Sequence, residues 1–305
     1  MAHTSVLLKE TIDGLDLLDG DIYLDATLGA GGHMEEVWNR KKNQIILAGI
    51  DADEMSVTIA SERLEISGAK PKLAVLNFRN IEKVPEILQI KNPTKILFDL
   101  GWRSDQFDTP DGEVGRGFSF QKDEPLLMTF KKEASKEDTT AYDVVNHWRE
   151  ENLADVIYGY GEERYARRIA KAIVESRKKK SIETSKELAE IVKSAVPMFY
   201  RFGRIHPATR TFQAIRIAVN DELQALEEGL NKGFEILENN GRMAVISFHS
   251  LEDRIVKNFF RTKVAEEKGE LINKKPITPN EEELKNNPRS RSAKLRIIKK
   301  LIVNN

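Results

Sequence analysis

The first hundred residues carry four short apolar runs separated by helical patterns, and no other feature constrains the fold as much. The runs are Ile22–Leu24, Ile45–Ile50, Lys72–Leu76 and Lys95–Phe98. Between them, Met34 to Arg40, Glu54 to Ile66 and Ile81 to Leu88 read as helices. Strand, helix, strand at this spacing predicts βαβ units and a parallel sheet. After Asp99 the rhythm stops. Residues 102–125, five of them glycine or proline, read as irregular loop. From Thr139 to about Arg204 the pattern is helical, over Asp143–Tyr158, Glu162–Lys178 and Ser185–Ala195. Thr184-Ser185-Lys186-Glu187 supplies a start signal for the last of these. Thr209 to Leu237 reads as one long helix, ended by Asn239-Asn240-Gly241. Met243–Ser247 then returns to the sheet, Ser250–Lys263 is a helix, residues 266–293 read as loop, and Lys294–Ile298 is a last strand. The expected organisation is a sheet domain of residues 1–104 and 206–305, interrupted at 105–205 by a loop and a helical domain.

Composition narrows the classes. No stretch approaches 18 apolar residues, which argues against a membrane span, and Met1–Glu10 lacks a secretory pattern. The absence of cysteine excludes disulfide frameworks, thiolate zinc sites, iron–sulfur clusters and a thiol nucleophile, and the cytoplasm is the expected compartment. The five histidines show no metal-ligand spacing, so no metal is expected. Net charge is −1, but it is unevenly spread. Tyr160–Arg216 holds 14 Lys/Arg against 6 Asp/Glu, a local charge of +8, whereas Ile217–Asn287 holds 10 against 14, or −4. The basic segment is suited to a polyanion.

The first strand runs into Asp25-Ala26-Thr27-Leu28-Gly29-Ala30-Gly31-Gly32-His33 and then a helix. Glycines at such a junction permit positive φ and close approach of a ligand. Asp51 ends the second strand, where a carboxylate accepts both hydroxyls of a ribose; Asp53 is the better helix cap. A dinucleotide wants Gly-x-Gly-x-x-Gly, and here the sixth position is Met34. S-adenosylmethionine carries no phosphate and tolerates looser glycines, and Asp25 is placed to meet its ammonium. Phe78 either packs on an adenine face or belongs to the core. Asp99 ends the fourth strand, at the sheet edge where ligands bind, between cofactor and substrate.

Three later segments are more particular: His206–Leu223, Ser247–Lys257 and Asn287–Arg296. With His3–Leu8 and Thr27–His33, the chain closely resembles the RsmH (MraW) family from His3 to about Leu301. The resemblance implies an α/β fold, a class I S-adenosylmethionine-dependent methyltransferase (Rossmann-like) domain with an inserted helical domain for substrate recognition. It implies methyl transfer to the N4 amine of a cytidine in 16S rRNA of the small ribosomal subunit. Carried over by motif, the cofactor-binding residues are Gly31, Gly32, His33, Asp51, Phe78, Asp99 and Gln106. The chain departs from the family where Trp102 and Arg103 replace Val-Ser, and where Leu127 and Thr129 stand for an Asp and an Arg. Any substrate role of those two residues does not transfer.

A cytosine amine is a poor nucleophile, so the site must align it and accept its N–H bonds; Asp99 is the candidate catalytic acceptor. His249 reads as a structural histidine satisfied by Glu252 or Asp253. RNA contacts are expected from Arg164, Arg167, Arg168, Arg201, Arg204, Arg210 and Arg216, with Arg289, Arg291 and Lys294 as a second basic group. The oligomeric state is open, a homodimer being one option. Two alternatives are a non-catalytic ribosome-assembly factor that retains the fold, and an NAD-dependent oxidoreductase, which the glycine spacing disfavours.

Overall fold

The computed structural model describes residues 5–101, 115–130, 138–203 and 205–302. Gln106, Arg204, Trp102 and Arg103 lie outside the described residues. The expected strands form β1 (Ile22–Asp25), β2 (Ile46–Asp51), β3 (Lys72–Val75), β4 (Lys95–Asp99) and β5 (Arg242–Ser247). All five are parallel, in the order β3-β2-β1-β4-β5. Two further strands complete the sheet: β7 (Lys294–Lys300) pairs antiparallel with β5, and β6 (Gly269–Leu271) pairs antiparallel with β7, so that β6 runs in the same direction as the first five. This is the expected α/β, Rossmann-like arrangement. β6 falls inside residues 266–293, read from sequence as loop. Three residues give no periodicity, and it is the pairing of Glu270 with Lys299 that defines the strand.

Helices α1 (Leu8–Leu15), α2 (Gly32–Lys41) and α3 (Glu54–Ile66) precede β4. Helices α4 (Ala141–His147), α5 (Glu150–Gly159), α6 (Ala166–Arg177), α7 (Ser185–Ala195), α8 (Met198–Arg201) and α9 (Ala208–Asn220) lie between β4 and β5. Helix α10 (Glu222–Ile236) leads into β5, and α11 (Ser250–Ala265) follows it. Among the described residues no helix is long and apolar enough to cross a membrane.

β1 and β4 are covered on both faces, which is why they read as unbroken apolar runs. Tyr23, Leu97 and Ile246 enter one core with Ile12 and Leu15 of α1, Met34 and Val37 of α2 and Leu64 of α3. Their neighbours Leu24, Ile96, Phe98 and Val245 point the other way, to Leu230 and Phe234 of α10 and Val256 and Phe260 of α11.

The chain divides into two compact units, Met1–Trp102 with Leu223–Asn305, and Arg103–Glu222. The second boundary thus falls after Glu222, not at the expected 205/206, and α9 belongs to the inserted unit. Its position follows from a break in the helix expected over Thr209–Leu237. Asp221 turns left-handed with φ 50°, separating α9 from α10. Just before it, the Asn220 side chain accepts the Phe130 N–H at 3.0 Å and donates to the Met128 carbonyl at 2.7 Å, tying α9 to the segment around Met128. A second expected helix, Asp143–Tyr158, is also two. Trp148 and Arg149 are extended, and Arg177 donates to the carbonyls of Val145 and Trp148, so the end of α4 is satisfied from α6. The helix expected from Glu162 starts at Ala166. Thr184 caps α7 in a reciprocal capping box with Glu187, as its sequence predicts.

Candidate active site

Chain order reverses between β1 and β4. From β1 the chain builds outward to β2 and β3; from β4 it builds to β5 on the other side. Loops leaving the carboxyl ends of such a pair diverge and leave a crevice, the usual ligand position in an open parallel sheet. Asp51, Asp25 and Asp99 end the adjacent strands β2, β1 and β4. Three carboxylates therefore meet at this edge.

The glycine turn sits between β1 and α2. Gly29 and Gly31 have φ of 53° and 76°, a conformation that L side chains rarely adopt. A Cβ on Gly32 would lie 2.1 Å from the Ser5 hydroxyl, so this glycine permits close packing of the N-terminal segment. Gly29 donates its N–H to Asp51 Oδ2 at 2.8 Å, and Asp53 donates its N–H to Asp51 Oδ1 at 2.9 Å. These bonds aim the Asp51 carboxylate. Asp53, not Asp51, caps α3 through the Met55 N–H.

Behind the turn lies a cluster of buried titratable groups. Tyr23 donates its hydroxyl to Asp25 Oδ2 at 3.2 Å, and Thr27 donates its N–H to Asp25 Oδ1 at 3.1 Å. His33 Nε2 lies 3.1 Å from the Val6 carbonyl, which can only accept, so Nε2 carries the proton. In the neutral ring the Nδ1 lone pair is then left facing Asp99 Oδ2, 3.6 Å away. Thr27 Oγ1 accepts the Asp99 N–H at 2.6 Å and Gly101 donates to Asp99 Oδ1 at 3.2 Å, so the residue is held from both sides. Burial pushes the Asp99 carboxyl up to about 7, opposed by the Gly101 N–H and aided by the charge of Glu252. It pushes Asp25 up to about 6, against the influence of His33. His33 is lowered by the same burial, with Asp25 opposing.

These contacts sort the expected residues. Asp25 is 1% exposed, whereas Asp51 is only partly buried, so the ammonium contact expected of Asp25 does not follow from the geometry. The Asp99 side chain keeps 16% exposure and is more open than that of Asp25. His33, 5% exposed, supports Asp99 from beneath. Phe78 is half-buried, edge-on to Phe98 with centroids 5.8 Å apart, and its ring rests on Gly229, where a Cβ would lie 2.7 Å away. Part of that ring is core. His249 caps α11, with Glu252 as its partner in a capping box; Asp253 instead binds Arg296 and Lys294.

The arginines also divide. Arg167 and Arg168 are exposed on α6. Arg210 gives a guanidinium N–H to the Glu162 carbonyl at 2.7 Å. Arg216 is gripped by both carboxylate oxygens of Glu222 at 2.8 Å, with 12% and 13% side-chain exposure, so its charge is answered within the inserted unit. Lys294 pairs with Asp253, leaving Arg289 and Arg291 as the exposed part of the second basic group. Sequence reasoning missed Tyr23 and Thr27. A period of two places Tyr23 and Asp25 on the same side of β1, and that signal was available. It also missed the packing of Phe120 on His206, 4.4 Å between centroids, for which the sequence offers no local sign.

Comparison with known proteins adds an independent line. The sequence profile described as the MraW methylase family matches residues 1–301. A protein of Sulfurihydrogenibium sp. (strain YO3AOP1), named ribosomal RNA small subunit methyltransferase H, is 48% identical over 295 residues, covering 97% of this chain and 98% of the relative. A protein of the same name from Carboxydothermus hydrogenoformans is 47% identical over 315 residues, covering 98% of each. Among solved structures, an rRNA methylase from Streptococcus thermophilus aligns with a TM-score of 0.45 at 11% identity, over 99% of this chain and all of that one.

Proposed function

The chain belongs to the MraW methylase family, and on that premise we propose that it transfers a methyl group from S-adenosylmethionine to the N4 amine of a cytidine in 16S rRNA. The observation that carries the reading is the set of strand-end carboxylates beside the glycine turn, on a chain matched from end to end by that family. The donor set suits the cofactor. Asp51, already oriented by two backbone N–H groups, offers lone pairs to a ribose diol. The glycine turn lets a ligand lie against the backbone. S-adenosylmethionine supplies the electrophilic methyl group. Gly31, Gly32 and Phe78 flank its place, and Gln106 belongs to the same proposed set.

Asp99 is the group we assign to the target amine. As that nitrogen gains a methyl carbon it must lose a proton, and the proton becomes acidic only as the new bond forms. A carboxylate near neutrality, held by Gly101 and backed by His33, accepts it without needing to be a strong base. Addition at the ring carbon ordinarily needs a thiolate adduct, and the chain has no cysteine. The substrate is engaged by the basic segment Tyr160–Arg216 of the inserted unit, in particular Arg164, Arg167, Arg168 and Arg210, with the reaction in the cytoplasm on the small subunit. Tritium transfer from labelled cofactor to small subunits, followed by nucleoside analysis, tests all of this. Label in N4-methylated cytidine is the expected result. Label on cytosine carbon 5, or none in RNA, overturns it.

A further inference from the structure

The inserted unit carries an exposed apolar patch that methyl transfer leaves unexplained. Met198, Phe199, Phe202 and Ile205 are 70%, 69%, 82% and 55% exposed. They fall within one short stretch formed by α8 and the turn after it. Single exposed apolar residues are ordinary; several together on a water-facing surface mark a contact site. The stretch is well anchored from beneath. Tyr200 donates its hydroxyl to Glu163 at 2.7 Å and packs edge-on against Tyr165, 5.0 Å between centroids. Arg201 is fixed by the carbonyls of Val196 and Ser194.

The same surface is cationic. The Arg164 guanidinium lies 4.9 Å from the Tyr165 and Tyr200 rings and 5.9 Å from Phe199. Arg201 and Arg210 bind carbonyls, which leave their charge in place. Among the described residues Arg164, Arg167, Arg168, Arg201 and Arg210 have no carboxylate partner.

We propose that this patch binds unpaired RNA, with the exposed rings of Phe199 and Phe202 stacking on bases while Arg164 and Arg201 hold the adjoining phosphates. Planar apolar faces beside uncancelled guanidiniums match a single strand, which offers base faces and phosphates together. A duplex offers phosphates but keeps its bases stacked on one another, so the rings would find no partner. A second copy of the chain would bring the arginines of two such patches, Arg164, Arg167, Arg168, Arg201 and Arg210, against each other, which opposes self-association through this face. The proposal rests on the RNA-methyltransferase reading, and its test fails separately from that reading.

The test uses the full chain and fluorescence anisotropy with two probes, a labelled 12-nucleotide single strand and a hairpin duplex of the same composition. Phe199→Ala with Phe202→Ala should weaken single-strand binding roughly tenfold for each ring that stacks. Duplex binding should change less than twofold, and the salt slope should stay as in the parent, since no charge is removed. Phe199→Trp with Phe202→Trp should keep or raise single-strand affinity. Phe202→Ser alone, at the most exposed position, guards against loss of fold, with melting temperature as the control. Equal losses on both probes, no loss on the single strand, or a fall in molar mass by light scattering on removing the rings would each overturn the proposal. Methyl transfer by the parent protein to small subunits is measured in parallel. Transfer with an indifferent double variant sinks the patch alone; ring-dependent binding without transfer sinks the reading alone.

Discussion

Asp51 and Asp99 end neighbouring regions of one sheet edge, and on the proposed reading their different surroundings give them different work. Asp51 is aimed by backbone N–H groups, so its removal should be felt in binding. Each hydrogen bond from a hydroxyl to a carboxylate contributes roughly 1.5–3 kcal/mol, and Asp51→Ala should weaken S-adenosylmethionine binding at least tenfold in calorimetry. Asp99→Asn keeps the shape and removes the charge; turnover should fall far more than cofactor affinity, and parallel falls would reassign Asp99 to the cofactor. The same variant carries a pH signature. Burial raises the carboxyls of Asp99 and Asp25 to about 7 and about 6, amid Tyr23, His33 and Glu252. Their protonated forms are therefore the ones the fold favours. That stability is whole below the ordinary carboxylate range and is lost as pH rises through 6 to 7. Asn at position 99 escapes its share of the loss. The melting temperature of Asp99→Asn relative to the parent should therefore rise between pH 5 and pH 8; a constant difference would show an unshifted carboxyl. Both aspartates are legible in the sequence, because each ends an apolar run. The sealing of Asp25 is not, since it depends on a Thr27 N–H and a tyrosine hydroxyl that only the folded turn brings together.

Strands and capped helices of this chain follow from their local patterns; the helix breaks do not. Thr184 and Glu187 satisfy each other's orphan N–H groups, a device written in four consecutive residues. Thr184→Ala should cost about 1 kcal/mol, read as faster amide hydrogen exchange in α7 with little change in the sheet. Unchanged exchange there would mean that packing alone holds the helix. Asp221 is the contrary case. Apolar spacing continues across it, from Ile217 to Leu226, so periodicity reports one helix where there are two. What breaks it is a left-handed residue after an asparagine whose partners lie some ninety positions earlier. Information of that range is absent from any local window. The segment around Leu127 and Thr129, where the family pattern is broken, is bound to the same asparagine through Met128 and Phe130.

Charge is partitioned between segments on the scale of the whole chain, and a net value of −1 conceals it. Replacing Arg167 and Arg168 with Gln should weaken RNA binding on every sequence alike. It should also flatten the salt dependence by roughly 0.7–0.9 log unit for each phosphate left without its cation. Cofactor affinity should barely move, and an unaltered salt slope would place the RNA elsewhere. The two-unit organisation was readable in outline from the interrupted strand rhythm, although the second boundary was not.

The insertion also has a consequence for the order of events during synthesis. β4 must find β5 along the register Lys95 to Arg242, roughly 150 residues later in the chain. At roughly 5–20 residues per second, about 7–30 seconds separate the emergence of the two strands from the ribosome. For that interval β4 presents a bare row of N–H and C=O groups on an apolar ribbon, a template for any passing strand. The half-built sheet therefore depends on how quickly the helices of the insertion gather themselves in the meantime. Nascent chains arrested before Arg242 should be markedly more prone to chaperone capture than those released after Ser247.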